Sequence, residues 1–157
     1  MKPPRPMFGP IVVVLALAIF LERWDYHLEL LEKYRAEATA RALQAALRNE
    51  MGNMLLHGAA HRWGELASQN PFSWLQAKSD DYCGEVDDVE EARPGCWVYR
   101  RREGYVAYRP RHTRFFHTLG AAPEIRYRLI IHKQKKGNDG AKVDTVTLEL
   151  VYPFQWF

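Results

Sequence analysis

Residues 11–21 read IVVVLALAIFL and form an uninterrupted apolar run near the start of the chain. Basic residues precede the run and mixed charges follow it: Lys2 and Arg5 before, and Glu22, Arg23, Asp25 and Glu29 after. A basic bias on the N-terminal side favours retention of that side in the cytoplasm. The pattern predicts a membrane anchor over residues 10–24, with the remainder of the chain exported. The candidate anchor side chains are Ile11, Val12, Val13, Val14, Leu15, Leu17, Ile19, Phe20 and Leu21.

The apolar run is short for a membrane-spanning helix. Counted from Met7, it holds about 15 residues, whereas a helix needs about 20 to cross the hydrocarbon core. Two other interpretations stay open: a signal peptide with a nominal cleavage site at Ala16-Leu17-Ala18, and a buried helix of a soluble protein. Cleavage there would cut inside the run, and a soluble helix would not explain the flanking charges. The anchor is therefore preferred, with Trp24 and Tyr26 at the membrane interface.

The next segment, residues 25–69, has the periodicity of an amphipathic helix. Its apolar residues recur at steps of three and four: Ala36, Ala40, Leu43, Leu47, Met51 and Met54. The pairs Glu29–Lys33 and Glu37–Arg41 have the spacing of ion pairs along one helix face. These features predict one helix with a single apolar stripe.

The end of this helix contains residues that disfavour helical structure. Gly52-Asn53 and Gly58 are predicted weak points, because glycine destabilises a helix interior. Residues 59–68 are predicted either to continue the helix or to restart it. Asn70-Pro71 ends it, since the residue before proline avoids helical backbone angles.

Residues 70–157 are predicted to form a loop followed by an antiparallel sheet. The loop, residues 72–95, carries an acidic cluster: Asp80, Asp81, Glu85, Asp87, Asp88, Glu90 and Glu91. Strands are predicted at residues 96–101, 104–109 and 125–132, and after a hairpin at 136–140. Two sets of side chains are predicted to face inward: Ile125, Tyr127, Leu129 and Ile131, then Val146, Leu148, Leu150 and Tyr152. The predicted fold class is α+β, with a long N-terminal membrane-anchor helix packed on a four-stranded antiparallel sheet.

The chain has two cysteines, Cys83 and Cys96. In an exported domain a disulfide between them is the expected state, and closing such a loop stabilises the fold by about 3 kcal/mol. In the cytosol the same residues would be free thiols. A zinc site is disfavoured, because neither cysteine belongs to a CxxC pair.

Patterns typical of catalysis or ligand binding are weak. His57 and His61 have the spacing of two metal ligands on a helix, but no third ligand is evident. The acidic loop lacks the alternating aspartates of a calcium loop. No nucleophile motif or glycine-rich phosphate loop occurs. We therefore expect no enzymatic activity, no catalytic residues, no cofactor and no metal site.

The basic residues are dispersed, and the net charge is only +3. This distribution makes nucleic-acid binding unlikely. Six arginines form a candidate site for phosphate or DNA: Arg100, Arg101, Arg102, Arg109, Arg111 and Arg114. Alternation along a strand would divide the first three between its two faces, so salt bridges to the acidic loop are the preferred interpretation.

Several short motifs follow one another in the order NP…WL…Y-x-GE…PG-x-W-x-Y…YR. They are Asn70-Pro71, Trp74-Leu75, Tyr82-Cys83-Gly84-Glu85, Pro94-Gly95-Cys96-Trp97-Val98-Tyr99 and Tyr108-Arg109. Together with the predicted architecture, they resemble type IV pilin-like minor subunits, including those of mannose-sensitive haemagglutinin (MSHA) pilus biogenesis. The resemblance implies a structural or assembly subunit of a type IV pilus or a related secretion machine. It also implies a single-pass protein of the bacterial inner membrane with a periplasmic C-terminal domain. The implied partners are other pilin or pseudopilin subunits, inner-membrane assembly proteins and membrane lipid.

The chain departs from the family pattern at two positions. Residues 1–9 resemble the basic leader ending in glycine, but Pro10 stands where the family has Phe or Met. Val14 stands where the family has a glutamate that neutralises a neighbouring subunit's terminus. This implies a tip, initiating or non-incorporated subunit. The alternative function is a membrane-anchored periplasmic binding or sensing domain outside any filament.

Overall fold

The computed structural model describes residues 8–77, 79–87, 92–134 and 142–157. Its first element, α1, is an α-helix of 49 residues, Phe8–Leu56. At 1.5 Å per residue the helix is about 74 Å long. Two 3₁₀ helices follow it, η1 (Ala60–Ser68) and η2 (Pro71–Trp74). Most of the predicted leader (residues 1–7) and the whole predicted hairpin (residues 136–140) lie outside the described residues.

The amphipathic helix predicted for residues 25–69 ends earlier, at Leu56. Gly58 has a φ of +71°, a left-handed conformation that glycine adopts at little cost, and it turns the chain away from the helix axis. The helix thus ends just before the predicted weak point at Gly58, and α1 continues through the one predicted at Gly52-Asn53. Residues 59–68 restart as η1.

The described residues contain seven strands: β1 (Tyr82–Val86), β2 (Cys96–Arg100), β3 (Tyr105–Arg109), β4 (Phe116–Thr118), β5 (Ile125–Gln134), β6 (Lys142–Leu150) and β7 (Phe154–Trp156). Five of them form one sheet in the order β1-β2-β3-β5-β6, and β4 pairs with β7 in a separate ribbon. β1 runs parallel to β2, and the other neighbouring strands are antiparallel. The fold is α+β, as predicted.

The sheet has one strand more than the four predicted, and it is not wholly antiparallel. The additional strand, β1, lies inside the segment predicted as a loop, residues 72–95. Its sequence, YCGEV, is short, includes Gly84 at a φ of +105°, and buries none of its side chains fully. Exposure alternates along the strand, but five residues that include a glycine give too short a pattern for strand prediction. The predicted disulfide is confirmed: Cys83 of β1 is bonded to Cys96 of β2, with their Cα atoms 5.7 Å apart.

Of the four side chains predicted to face inward from the last strand, only two are buried. Val146 and Leu148 are buried, but Leu150 is 37% exposed and Tyr152 is 42% exposed. β6 ends at Leu150, and the chain bends before Pro153. Because of this bend, Tyr152 does not continue the alternation of β6, and the chain enters β7 instead.

One apolar core lies between α1 and the large sheet. The helix contributes Ala36, Ala40, Leu43 and Leu47, and the sheet contributes Trp97, Tyr99, Val106, Tyr108, Ile125, Leu129, Val146 and Leu148. Met51, Met54 and Tyr127 are partly buried against this core. The apolar stripe predicted for the helix is thus confirmed. Its alanines present little bulk to the aromatic side chains of the sheet.

Candidate functional site

The predicted anchor side chains lie on about the first four turns of α1 and are largely exposed. Nine of them, Ile11, Val12, Val13, Val14, Leu15, Leu17, Ile19, Phe20 and Leu21, are 55–64% exposed. Apolar residues therefore occupy every face of this part of the helix. A helix that is apolar all round is typically buried in a membrane or in a larger assembly. No helix among the described residues combines the length and apolar character needed to cross a membrane.

Further along α1, the carboxylate of Glu29 binds the sheet domain. Its side chain is 1% exposed. Oε1 accepts hydrogen bonds from the backbone N–H of Phe115 at 2.9 Å and from the indole N–H of Trp156 at 3.0 Å. One turn on, Lys33 Nζ donates to the carbonyl oxygen of Trp156 at 2.8 Å. The sequence predicted an ion pair between Glu29 and Lys33, but both side chains bond instead to residues beyond the helix.

Glu32 makes a second connection to the sheet, and its carboxylate is also buried. Oε1 accepts hydrogen bonds from the Tyr108 hydroxyl at 2.8 Å and from the backbone N–H of Arg111 at 2.6 Å. Oε2 lies 3.1 Å from the backbone N of His112 and 2.8 Å from Nδ1 of the same residue. Burial raises the pKa of the Tyr108 hydroxyl, and its hydrogen bond to Glu32 raises it further. The buried carboxylate is thus surrounded by hydrogen-bonding groups, as burial of charge requires.

We refer to Glu29, Glu32 and Lys33 with these partners as the helix–sheet junction. Sequence analysis missed it because Glu29 and Lys33 were interpreted as an ion pair with each other. The signal was nevertheless present: Glu29 and Glu32 continue the stripe of Ala36 and Ala40 at steps of three and four residues. Acidic residues on the apolar face of a helix are expected to have buried donors as partners.

An aromatic cluster lies on the anchor side of the junction. The rings of Tyr26, Phe115 and Phe157 are 4.9–5.9 Å apart, centre to centre. Lys33 Nζ lies 5.7 Å from the centre of the Phe157 ring. The cluster and the junction together hold the sheet domain against α1 immediately beyond the exposed apolar turns.

The arginines predicted to pair with the acidic loop divide between two sites. Arg101 forms an ion pair with Glu85 of β1, as predicted. A hydrogen bond from Asn70, and then the one from Arg101, lowers the pKa of the Glu85 carboxyl. Arg100 is fully buried and lies 3.1 Å from Glu124, which also binds Arg126. Residues 88–91 of the acidic loop lie outside the described residues.

A largely apolar groove of about 670 Å³ runs between the C-terminal half of α1 and the edge strand β6. Leu47, Met51 and Leu55 line one wall, Trp63 contributes from η1, and residues 145–149 line the other wall. His57 and His61 lie outside this lining and are exposed. Within the described part of the chain, no three His, Cys, Asp or Glu side chains are placed to hold a metal ion.

The fold is a long N-terminal helix on a mostly antiparallel five-stranded sheet, and its distinctive site is the exposed apolar helix surface with the junction beside it. Comparison with protein-family models, curated proteins and solved structures finds no match to this chain.

Proposed function

We propose that the chain is a minor pilin-like subunit that serves a type IV pilus of the MSHA type or a related secretion machine. One observation carries the proposal. A single unbroken helix, α1, has an exposed apolar surface over residues 11–21 and a buried stripe from Ala36 to Leu47 that packs on the sheet. The first surface is suited to lipid and to neighbouring apolar helices, and the second holds a folded domain outside the membrane. The proposed role is structural, without catalysis.

The helix–sheet junction supports this role mechanically. Glu29, Glu32 and Lys33 attach the sheet to the turns of α1 that follow the apolar surface. Because buried charged side chains are costly to separate from their partners, the sheet and the helix should move together. A partner that binds the apolar turns would then also fix the orientation of the sheet domain.

The valine at position 14 is the reason to propose that each filament contains few copies of this subunit. In the resembled family a glutamate at this position neutralises a neighbouring subunit's terminus, and valine cannot make that contact. The chain is therefore proposed to occupy a tip or an initiating complex, where that pairing is not required. We expect deletion to reduce the number of pili, and quantitative mass spectrometry of sheared filaments to find far fewer copies than of the major subunit. A stoichiometry near that of the major subunit would contradict this part of the proposal.

Cysteine crosslinking in cells tests the role directly. Val14→Cys and Leu17→Cys place a thiol on the apolar surface, and Leu119→Cys places one on an exposed apolar residue of the sheet domain. We expect crosslinks from positions 14 and 17 to the apolar helices of pilin subunits or to inner-membrane assembly proteins. Position 119, the matched control, should give no crosslink to those helices. Equal crosslinking from all three positions would contradict the proposal.

The groove beside β6 favours a second candidate function, a membrane-anchored periplasmic binding or sensing domain. Its volume, about 670 Å³, and its apolar lining are typical of small-molecule sites. Under this alternative the chain fractionates with the inner membrane, yet Val14→Cys gives no crosslink to pilin helices. The same crosslinking experiment therefore distinguishes the two functions.

A further inference from the structure

A small pocket lies where the apolar turns of α1 meet the sheet domain. Its volume is about 260 Å³, several times the roughly 30 Å³ that one water molecule occupies. Ile19, Arg23 and Tyr26 line it from the helix, and Arg114 and Phe115 line it from the loop before β4. Two guanidinium groups thus share one pocket with an aliphatic and two aromatic side chains.

Two of the described side chains that line this pocket are cationic, those of Arg23 and Arg114. Both are exposed, so their guanidinium groups are accessible to a ligand. Two guanidinium groups in one pocket are complementary to a phosphate, which arginine binds through paired hydrogen bonds.

Contacts within the domain hold the loop arginine in place. The Arg114 guanidinium carbon lies 5.5 Å from the centre of the Phe115 ring. That ring contacts Tyr26 of α1 edge-on at 5.9 Å, and the Phe115 backbone N–H is bound by Glu29. The two arginines, although 91 positions apart in sequence (114 minus 23), therefore line one pocket.

The position of the pocket along α1 indicates the source of the phosphate. Ile19 belongs to the exposed apolar turns, and Arg23 lies two residues beyond Leu21, the last residue of the run. At 1.5 Å per residue, Arg23 is about 3 Å past the apolar surface. When apolar turns enter a bilayer, a basic side chain at this distance lies at the level of the lipid headgroups.

We propose that this pocket, lined by Arg23, Tyr26 and Arg114, binds the phosphate of an anionic phospholipid headgroup. The inference rests on the membrane attachment in the proposed function. The arginines bind the phosphate, and Ile19 and the aromatic rings contact the glycerol and the first acyl carbons. Free phosphate would satisfy the arginines alone and would leave the apolar side of the pocket unused.

The test uses the full-length protein in detergent and measures its affinity for three probes: short-chain phosphatidylglycerol, short-chain phosphatidylcholine and inorganic phosphate. We expect phosphatidylglycerol to bind at least about tenfold more tightly than either of the others. Arg23→Ala/Arg114→Ala should lose about tenfold or more of that affinity. Arg93→Ala/Arg102→Ala, which removes the same charge from exposed positions elsewhere, is the matched control and should retain it.

Two outcomes would contradict the proposed headgroup site. Equal affinity for the two lipids, or an equal loss in both double variants, would show that no headgroup site exists here. Inorganic phosphate that binds as tightly as phosphatidylglycerol would assign the pocket to free phosphate. Co-sedimentation of the protein with pure phosphatidylcholine vesicles separately reports membrane attachment. Failure of that attachment contradicts the proposed function, whereas the short-chain titration still tests the pocket.

Discussion

The carboxylate of Glu29 accepts a hydrogen bond of 3.0 Å from the indole of Trp156, 127 positions further along the chain. The same oxygen accepts a hydrogen bond from the backbone N–H of Phe115, so one helix residue binds β7 and the residue just before β4. The Glu29 side chain is 1% exposed, so water cannot take the place of these two donors without disturbing the packing around it. The attachment of the sheet to the helix therefore depends on a few buried polar contacts as well as on the apolar core.

Replacement of Glu29 by alanine should destabilise the protein strongly. The substitution leaves the Phe115 N–H and the Trp156 indole without their acceptor, and hydrogen bonds to a charged group contribute about 1.5–3 kcal/mol each. We expect a loss of about 3 kcal/mol in the free energy of unfolding, measured by denaturant titration of the full chain in detergent. Glu37→Ala, which removes only an exposed ion pair with Arg41, should cost less than about 1 kcal/mol. Similar losses in the two variants would contradict the role assigned to Glu29.

Leu43 tests the packing of α1 on the sheet. Its side chain is fully buried, and removal of a buried leucine side chain typically costs about 2–5 kcal/mol because a cavity remains. We expect Leu43→Ala to lower the free energy of unfolding by that amount. Leu56→Ala is the matched control, since Leu56 is 84% exposed and should change stability by less than about 0.5 kcal/mol. A small effect at Leu43 would show that the helix does not pack as described.

The disulfide should stabilise the edge of the sheet in particular. It joins residues 13 apart, and a loop of that size corresponds to about 3 kcal/mol. We expect Cys83→Ser/Cys96→Ser to lose about that free energy of unfolding and to accelerate amide hydrogen exchange in β1 more than in β3. Alkylation of both cysteines in unreduced periplasmic material would show instead that the bond does not form in cells.

Tyr108 should make stability decrease at alkaline pH. Burial and the hydrogen bond to Glu32 raise its pKa in the folded state above the usual value of about 10. The unfolded chain then releases this proton at a lower pH than the folded protein does. The stabilisation is therefore complete below about pH 10 and declines as the pH rises above it. Tyr108→Phe should flatten the dependence of the free energy of unfolding on pH in that range. Tyr152→Phe, at an exposed tyrosine, is the control and should have the smaller effect.

Much of the fold could be predicted from periodicity. The stripe from Ala36 to Leu47 and the alternation around Ile125 and Leu129 both repeat with a fixed period, and both are buried as expected. The partial exception follows the C-terminal end of β6. Tyr152 keeps the sequence period of that strand, but β6 ends at Leu150 and Tyr152 lies in the bend before Pro153. Periodicity indicates which face a residue would occupy in a strand and does not indicate where the strand ends.

The contacts of the candidate site could not be predicted in the same way. The spacing of Glu29 and Glu32 places them on the buried face of α1, but no local pattern indicates that their donors lie at Tyr108, Phe115 and Trp156. β1 was missed because it is only five residues long, contains Gly84, and pairs in parallel with β2 rather than through a hairpin. Long-range pairing of polar groups leaves little trace in a local pattern.

The distance in sequence between Glu29 and Trp156 also sets an order for folding. Strands β2 and β3 are adjacent in the chain and can pair early, whereas closing a connection of 127 residues carries a larger entropic cost and comes late. During synthesis α1 emerges before the strands, and β7 emerges only after the other described strands. Until β7 arrives, the carboxylate of Glu29 lacks its indole partner, and the chain is then most open to proteases and to wrong pairing with its neighbours.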